Sequence, residues 1–126
     1  MKSEPFSFRK RIRSFRYAIS GIATMLQSEH NSRIHVVAMA AVIVLGIMLH
    51  ITSAEWCIVA MCCGAVLTAE AMNSAIEAIA DLVSPDYHPL IKKAKDVAAA
   101  GVLMTAIAAA IAGTIIFLPK IISLIH

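Results

Sequence analysis

Glu70, Asn73, Ser74, Glu77 and Asp81 are the residues best suited to chemistry in this chain. Counted from Glu70 they stand 3, 4, 7 and 11 residues on, offsets that return to the same side of a helix of about 3.6 residues per turn. Ala71, Met72, Ala75, Ile76, Ala78 and Ile79 fill the other faces, and an uncharged run from Trp56 to Ala69 precedes them. Carboxylates on such a helix are costly in a membrane and mark function. Two kinds of work suit them: holding a hard divalent cation through oxygen ligands, and drawing a proton from a hydroxyl.

Helix rise separates these roles by depth. With Trp56 at one interface, Glu70 lies about 21 Å inward and Glu77 about 32 Å, at about 1.5 Å per residue. The hydrocarbon core is about 30 Å thick. Glu77 and Asp81 therefore emerge at the far boundary, in reach of water, where Glu77 suits a cation site. Glu70 stays within the slab, partly desolvated, and suits a general base. Glu29 falls at the depth of Glu77 and offers a second carboxylate ligand. Lys92, Lys93 and Lys95 stand where they can neutralise phosphates.

These side chains need helices to place them. The chain has 126 residues, 60% hydrophobic and 15% charged, with a formal net charge of +3. Its mean hydropathy is +0.80, a membrane composition. One domain over residues 1–126 is expected, with no internal repeats or low-complexity linkers. Lys2, Arg9, Lys10, Arg11, Arg13, Arg16 and Arg33 precede the first apolar run, and the three lysines at 92–95 precede the last. Only Lys120 lies elsewhere. This distribution fits the positive-inside rule and disfavours nucleic acid as a partner. The late start of the first apolar run argues against a signal peptide. Cys57, Cys62 and Cys63 read as small apolar filler, not as a metal site.

Residues of about 6–30 form an amphipathic helix with Phe8, Ile12, Phe15, Ile19, Ile22 and Leu26 on one stripe and a basic opposite face, suited to an anionic membrane surface. Glu29 and Arg33, four apart, read on their own as a surface ion pair. Three spans are expected over about 34–51, 54–83 and 97–119. Thr52 or Ser53 caps the second span, and Trp56 suits its interface. Ser84-Pro85 ends that span. Residues 86–96 form a polar connection or short helical turn, and Pro119 and Lys120 close the third span. The N-terminus and the 84–96 loop belong on the cytoplasmic side. A three-span protomer leaves its carboxylate stripe facing lipid, so oligomerisation is expected.

Three readings fit the residues alone: phosphoryl transfer to a lipid hydroxyl, transport or proton relay through an ion-conducting protein, and an assembly subunit held by Asn73 and Ser74. The chain has no GxxxxGK[ST] loop and no protein-kinase signature. A nucleotide site must be built from side chains.

Glu-Ala-Met-Asn-Ser-Ala-Ile-Glu at 70–77, then Asp81, Tyr87-His88 and Ala94-Lys95-Asp96, closely resemble the bacterial integral-membrane diacylglycerol kinase family, which includes the similar undecaprenol kinases. Tyr17, Gly21, Glu29 and Arg33 extend the likeness over essentially the whole chain. The resemblance implies an all-α homotrimer in the bacterial cytoplasmic membrane, with active sites between neighbouring subunits. It implies ATP with Mg²⁺, and diacylglycerol as acceptor with undecaprenol as the alternative. By position, Glu70 resembles the catalytic base and Glu29 and Glu77 the metal ligands. Tyr17, Asn73, Lys95 and Asp96 resemble nucleotide-site residues, with Arg9 or Lys10 as a basic contact and Asp86, Tyr87 and His88 as part of the pocket. Glu70, Ser74, Arg33 and Trp56 are the expected lipid-site residues. Two departures concern the acceptor. Ser20 stands where the diacylglycerol enzymes often carry lysine before the glycine. The segment Asn31–His35 looks more like the undecaprenol kinases.

Overall fold

Helices account for nearly all of residues 6–126, the part that the computed structural model describes; Lys2, the first of the basic cluster, lies outside the described residues. They are α1 (Phe8–Ser28), α2 (His30–Met48), α3 (Ser53–Val83) and α4 (Pro89–Ile125). The last three are long and apolar enough to cross a membrane. No strand occurs among the described residues. The protein is an all-α membrane protein with three candidate spans and one amphipathic helix before them.

On α1, Phe8, Ile12, Phe15, Ile19 and Ile22 are exposed, and only Met25 near its end is buried. An apolar stripe of this kind beside arginines suits the membrane interface. The break after α1 falls on Glu29, whose backbone is extended (φ −106°, ψ 117°) and which caps both α1 and α2. Glu29 and Arg33 therefore do not form the surface pair expected of one continuous helix. The Arg33 guanidinium donates to the carbonyls of Leu26 (2.7 Å from Nε) and Gln27 instead. The last carbonyls of a helix lack partners within it, and a cation there satisfies them.

α2 ends in a Schellman turn. Ile51 N–H donates to Gly46 O and His50 N–H to Ile47 O, with His50 left-handed at φ 50°. Ile51 and Trp56 fold back over Gly46: a Cβ there would stand 2.8 Å from Trp56 Cη2 and 3.1 Å from Ile51 Cδ1. Thr52 opens α3 through a capping box, accepting from Glu55 N–H at 3.2 Å while Glu55 Oε2 accepts from Thr52 N–H at 2.8 Å.

α4 is longer than expected at both ends. Pro89 stands in its first turn and His88 Nδ1 accepts from Leu90 N–H at 3.2 Å, so the helix begins inside the expected polar connection. It also continues through Pro119, expected to close the span. One proline removes a single N–H from the ladder, and such prolines are tolerated in membrane helices. Lys120 pairs with Glu55 at 3.2 Å and ties the turn after the proline to the start of α3.

α3 packs chiefly along α4 and touches α2 and α1 less. The buried cluster is Ile51, Val59, Ile116 and Phe117, with Val42, Leu45, Trp56 and Ile121 around it. It lies at the end of the bundle away from the carboxylates. Between α2, α3 and α4 runs an apolar cavity of about 580 Å³, bordered by His35. The half-buried Cys62 and Cys63 also line it, as filler.

Candidate active site

The carboxylate face of α3 meets three different environments along its length. Glu70 is buried, 1% exposed. Burying a carboxylate costs free energy unless polar groups meet it. Two residues of α2 do so: Ser32 Oγ donates to Glu70 Oε2 at 3.2 Å, and His35 Nε2 stands 3.1 Å from Oε1. The imidazole approaches out of line, so Oε1 has no well-aligned hydrogen bond. This corrects the expectation that the whole stripe faces lipid. Ser32 and His35, one turn apart on α2, shield its innermost member within a single protomer.

One turn on, Asn73 Nδ2 donates to Glu77 Oε1 at a long 3.4 Å. Asn73 Oδ1 and Ser74 Oγ are buried without partners. An unpaired buried polar atom costs about 1–3 kcal/mol and calls for an explanation. At the end of the face, exposed Asp81 accepts from Lys95 Nζ at 2.9 Å, which joins α3 to the first turns of α4. Lys92 pairs with Asp96 four residues on.

A pocket of about 1000 Å³ opens between α1 and α3, lined among others by Ser20, Gly21, Thr24, Glu29, Ser74 and Glu77. Glu29 and Glu77 reach it from different elements. Glu29 does so from the break between α1 and α2, and Glu77 from α3. Among the described residues, no three His, Cys, Asp or Glu side chains gather as a metal cage. Two carboxylates and a free hydroxyl are an all-oxygen, incomplete ligand set. That fits Mg²⁺, which keeps waters and takes phosphate oxygens as its remaining ligands.

The structure thus brings together Glu29, Ser74 and Glu77 around one pocket, with Asp81 at its rim. Asn73 and Glu70 continue the same helix face, and Lys95 and Asp96 lie next to it on α4. Asp86, Tyr87 and His88 form the exposed α3–α4 connection. Arg33 is engaged with the end of α1. Arg9, Lys10 and Tyr17 are exposed on α1 and do not line the pocket, and Trp56 packs on Gly46 near the start of α3. Ser32 and His35 are site residues that the sequence does not single out. Their signal was faint, two polar residues at helical spacing where an apolar span begins.

The chain is similar to known proteins over most of its length. The model of the prokaryotic diacylglycerol kinase family matches residues 16–117. The chain is 38% identical over 109 residues to the undecaprenol kinase of Bacillus subtilis, covering 86% of this chain and 89% of that one. It is 40% identical over 112 residues to a diacylglycerol kinase of Synechocystis, covering 88% of this chain but 64% of the longer relative. It is 29% identical over 111 residues to the diacylglycerol kinase of Escherichia coli K12, covering 88% and 91%. The match takes in the α1–α3 pocket and the whole carboxylate face, and the chain belongs to the prokaryotic diacylglycerol kinase family of membrane lipid kinases.

Proposed function

We propose that the protein transfers the γ-phosphoryl group of ATP to a lipid hydroxyl at the cytoplasmic boundary of the bacterial inner membrane, with diacylglycerol as acceptor and phosphatidic acid as product. The observation that carries this is the separation of carboxylates along α3: Glu70 buried with one unaligned oxygen, and Glu77 lining an open pocket together with Glu29.

Glu70 Oε1 takes the proton of the acceptor hydroxyl. The freed oxygen forms its bond to the γ-phosphorus as the bond to the bridging oxygen of ADP breaks. Ser32 holds the other carboxylate oxygen, Oε2, and Oε1 is left without an aligned donor. Glu29 and Glu77 would hold Mg²⁺, which when bound offsets charge on the phosphates. Ser74 Oγ and Asn73 Oδ1 are both buried and unpartnered, Ser74 lines the pocket, and both suit contacts to nucleotide or acceptor. Lys95, with Asp96, flanks the phosphates from α4, and Asp86, Tyr87 and His88 border the nucleotide. Most of this catalysis is positioning and electrostatics. Arg9, Lys10 and Tyr17, exposed in one protomer, suit a site completed across neighbours of a homotrimer with a cytoplasmic N-terminus.

Undecaprenol is the second reading. The segment Asn31–His35 favours it, and the Bacillus relative carries that name. Purified protein with labelled ATP, Mg²⁺ and one lipid at a time separates the two. Label on diacylglycerol alone supports the first reading, and label on undecaprenol alone supports the second. Label on neither refutes both.

A further inference from the structure

We propose that His35 is a positioning residue for the general base, holding the Glu70 carboxylate so that Oε1 faces the acceptor hydroxyl. The inference rests on Glu70 being that base.

The two oxygens of Glu70 are treated differently. Oε2 is anchored by the Ser32 hydroxyl from α2, whereas Oε1 has the His35 imidazole at 3.1 Å and no aligned donor. Ser32 is fully buried and His35 half-buried, and neither has another side-chain partner among the described residues. No lysine or arginine pairs with Glu70 among those residues. The other side of His35 borders the apolar cavity between α2, α3 and α4, lined there by Ala38, Met39 and Val42. Among the described residues, the polar side chain recorded against this imidazole is that of Glu70. Its Nε2–H beside Oε1 draws the carboxylate toward α2 and limits rotation about the last side-chain torsion, which is otherwise broad. The out-of-line approach matters as much. A well-aligned N–H would occupy the lone pair that must receive the hydroxyl proton, while an oblique one fixes the oxygen and leaves that lone pair free. In the reaction the proton passes from the acceptor oxygen to Oε1, and His35 neither gains nor loses one.

The test uses the full chain in lipid nanodiscs, with His35→Ala, His35→Gln, Ser32→Ala and Glu70→Gln compared in steady state. Loss of carboxylate alignment should lower kcat of His35→Ala by about 10- to 100-fold, the scale of a misplaced catalytic group. KM for Mg²⁺-ATP should stay within about twofold, because Glu29 and Glu77 are untouched. His35→Gln, which keeps an N–H donor, should recover a large part of the loss at the same unfolding temperature as His35→Ala. Labelled-histidine ¹⁵N spectra should show Nε2 protonated in the parent protein and perturbed in Glu70→Gln. The proposal is overturned if His35→Ala keeps its kcat, if His35→Gln is no better than His35→Ala, or if Nε2 carries no proton. Full turnover by Glu70→Gln would overturn the base assignment itself. An inactive Glu70→Gln beside an unaffected His35→Ala would overturn the positioning role alone.

Discussion

Glu77→Gln isolates the charge that the pocket between α1 and α3 contributes to nucleotide binding. The substitution keeps the side-chain volume and an oxygen to accept from Asn73 Nδ2, so packing changes little. What is lost is one of the two carboxylate charges, Glu29 and Glu77, that line the pocket without a cationic partner of their own, since Asp81 is already bonded to Lys95. Two unit charges about 4 Å apart interact by about 1 kcal/mol in water and about 4 kcal/mol near a protein surface. Half-buried Glu77 falls between these limits, at about 2 kcal/mol, which corresponds to about a 30-fold change in an equilibrium constant. KM for Mg²⁺-ATP should rise by that factor, and the Mg²⁺ needed for half-maximal rate should rise with it. Turnover at saturation should change far less. Initial rates over a grid of ATP and Mg²⁺ concentrations measure both. An unchanged Mg²⁺ dependence in Glu77→Gln refutes the ligand role and the depth argument that assigned it.

Two further outcomes concern the frame of the site. Arg33→Met removes the donors that satisfy two carbonyls at the end of α1, worth about 1 kcal/mol each. Amide exchange over residues 24–30 should quicken and KM for Mg²⁺-ATP should rise as Glu29 loses its fixed place; unchanged exchange contradicts this. Gly46→Ala drives a methyl to within 2.8 Å of the Trp56 ring. It should lower stability by about 1–3 kcal/mol, read as a lower unfolding temperature in detergent, and an unchanged temperature would show that the α2–α3 turn repacks freely.

Much of this arrangement is legible in the amino-acid sequence. Local patterns carry it: the apolar runs of α2, α3 and α4, the stripe on α1, and the helix phase that puts Glu70 and Glu77 on one face. What stayed hidden depends on contacts between elements. Nothing in the residue types at 28–30 announces a helix break, because neither glycine nor proline stands there; the extended backbone of Glu29 is settled by tertiary packing and by Arg33 capping α1. Ser32 and His35 reach Glu70 from another helix, and no periodicity within α2 reports that partner. The start of α4 was readable in principle from His88-Pro89, a cap followed by a first-turn proline. Its passage through Pro119 was not, because a proline in an apolar helix reads equally as an end or as a kink.

The central claim is that a buried carboxylate on α3 removes the acceptor proton while a different pair of carboxylates serves the nucleotide. Single-turnover transfer of label from ATP to lipid by Glu70→Gln, with ATP binding measured on the same sample, tests it most directly. The account predicts ATP affinity within about twofold of the parent and a transfer rate lower by about 10²- to 10⁴-fold, the range for losing a general base. Transfer at the parental rate, or loss of ATP binding together with transfer, would contradict it.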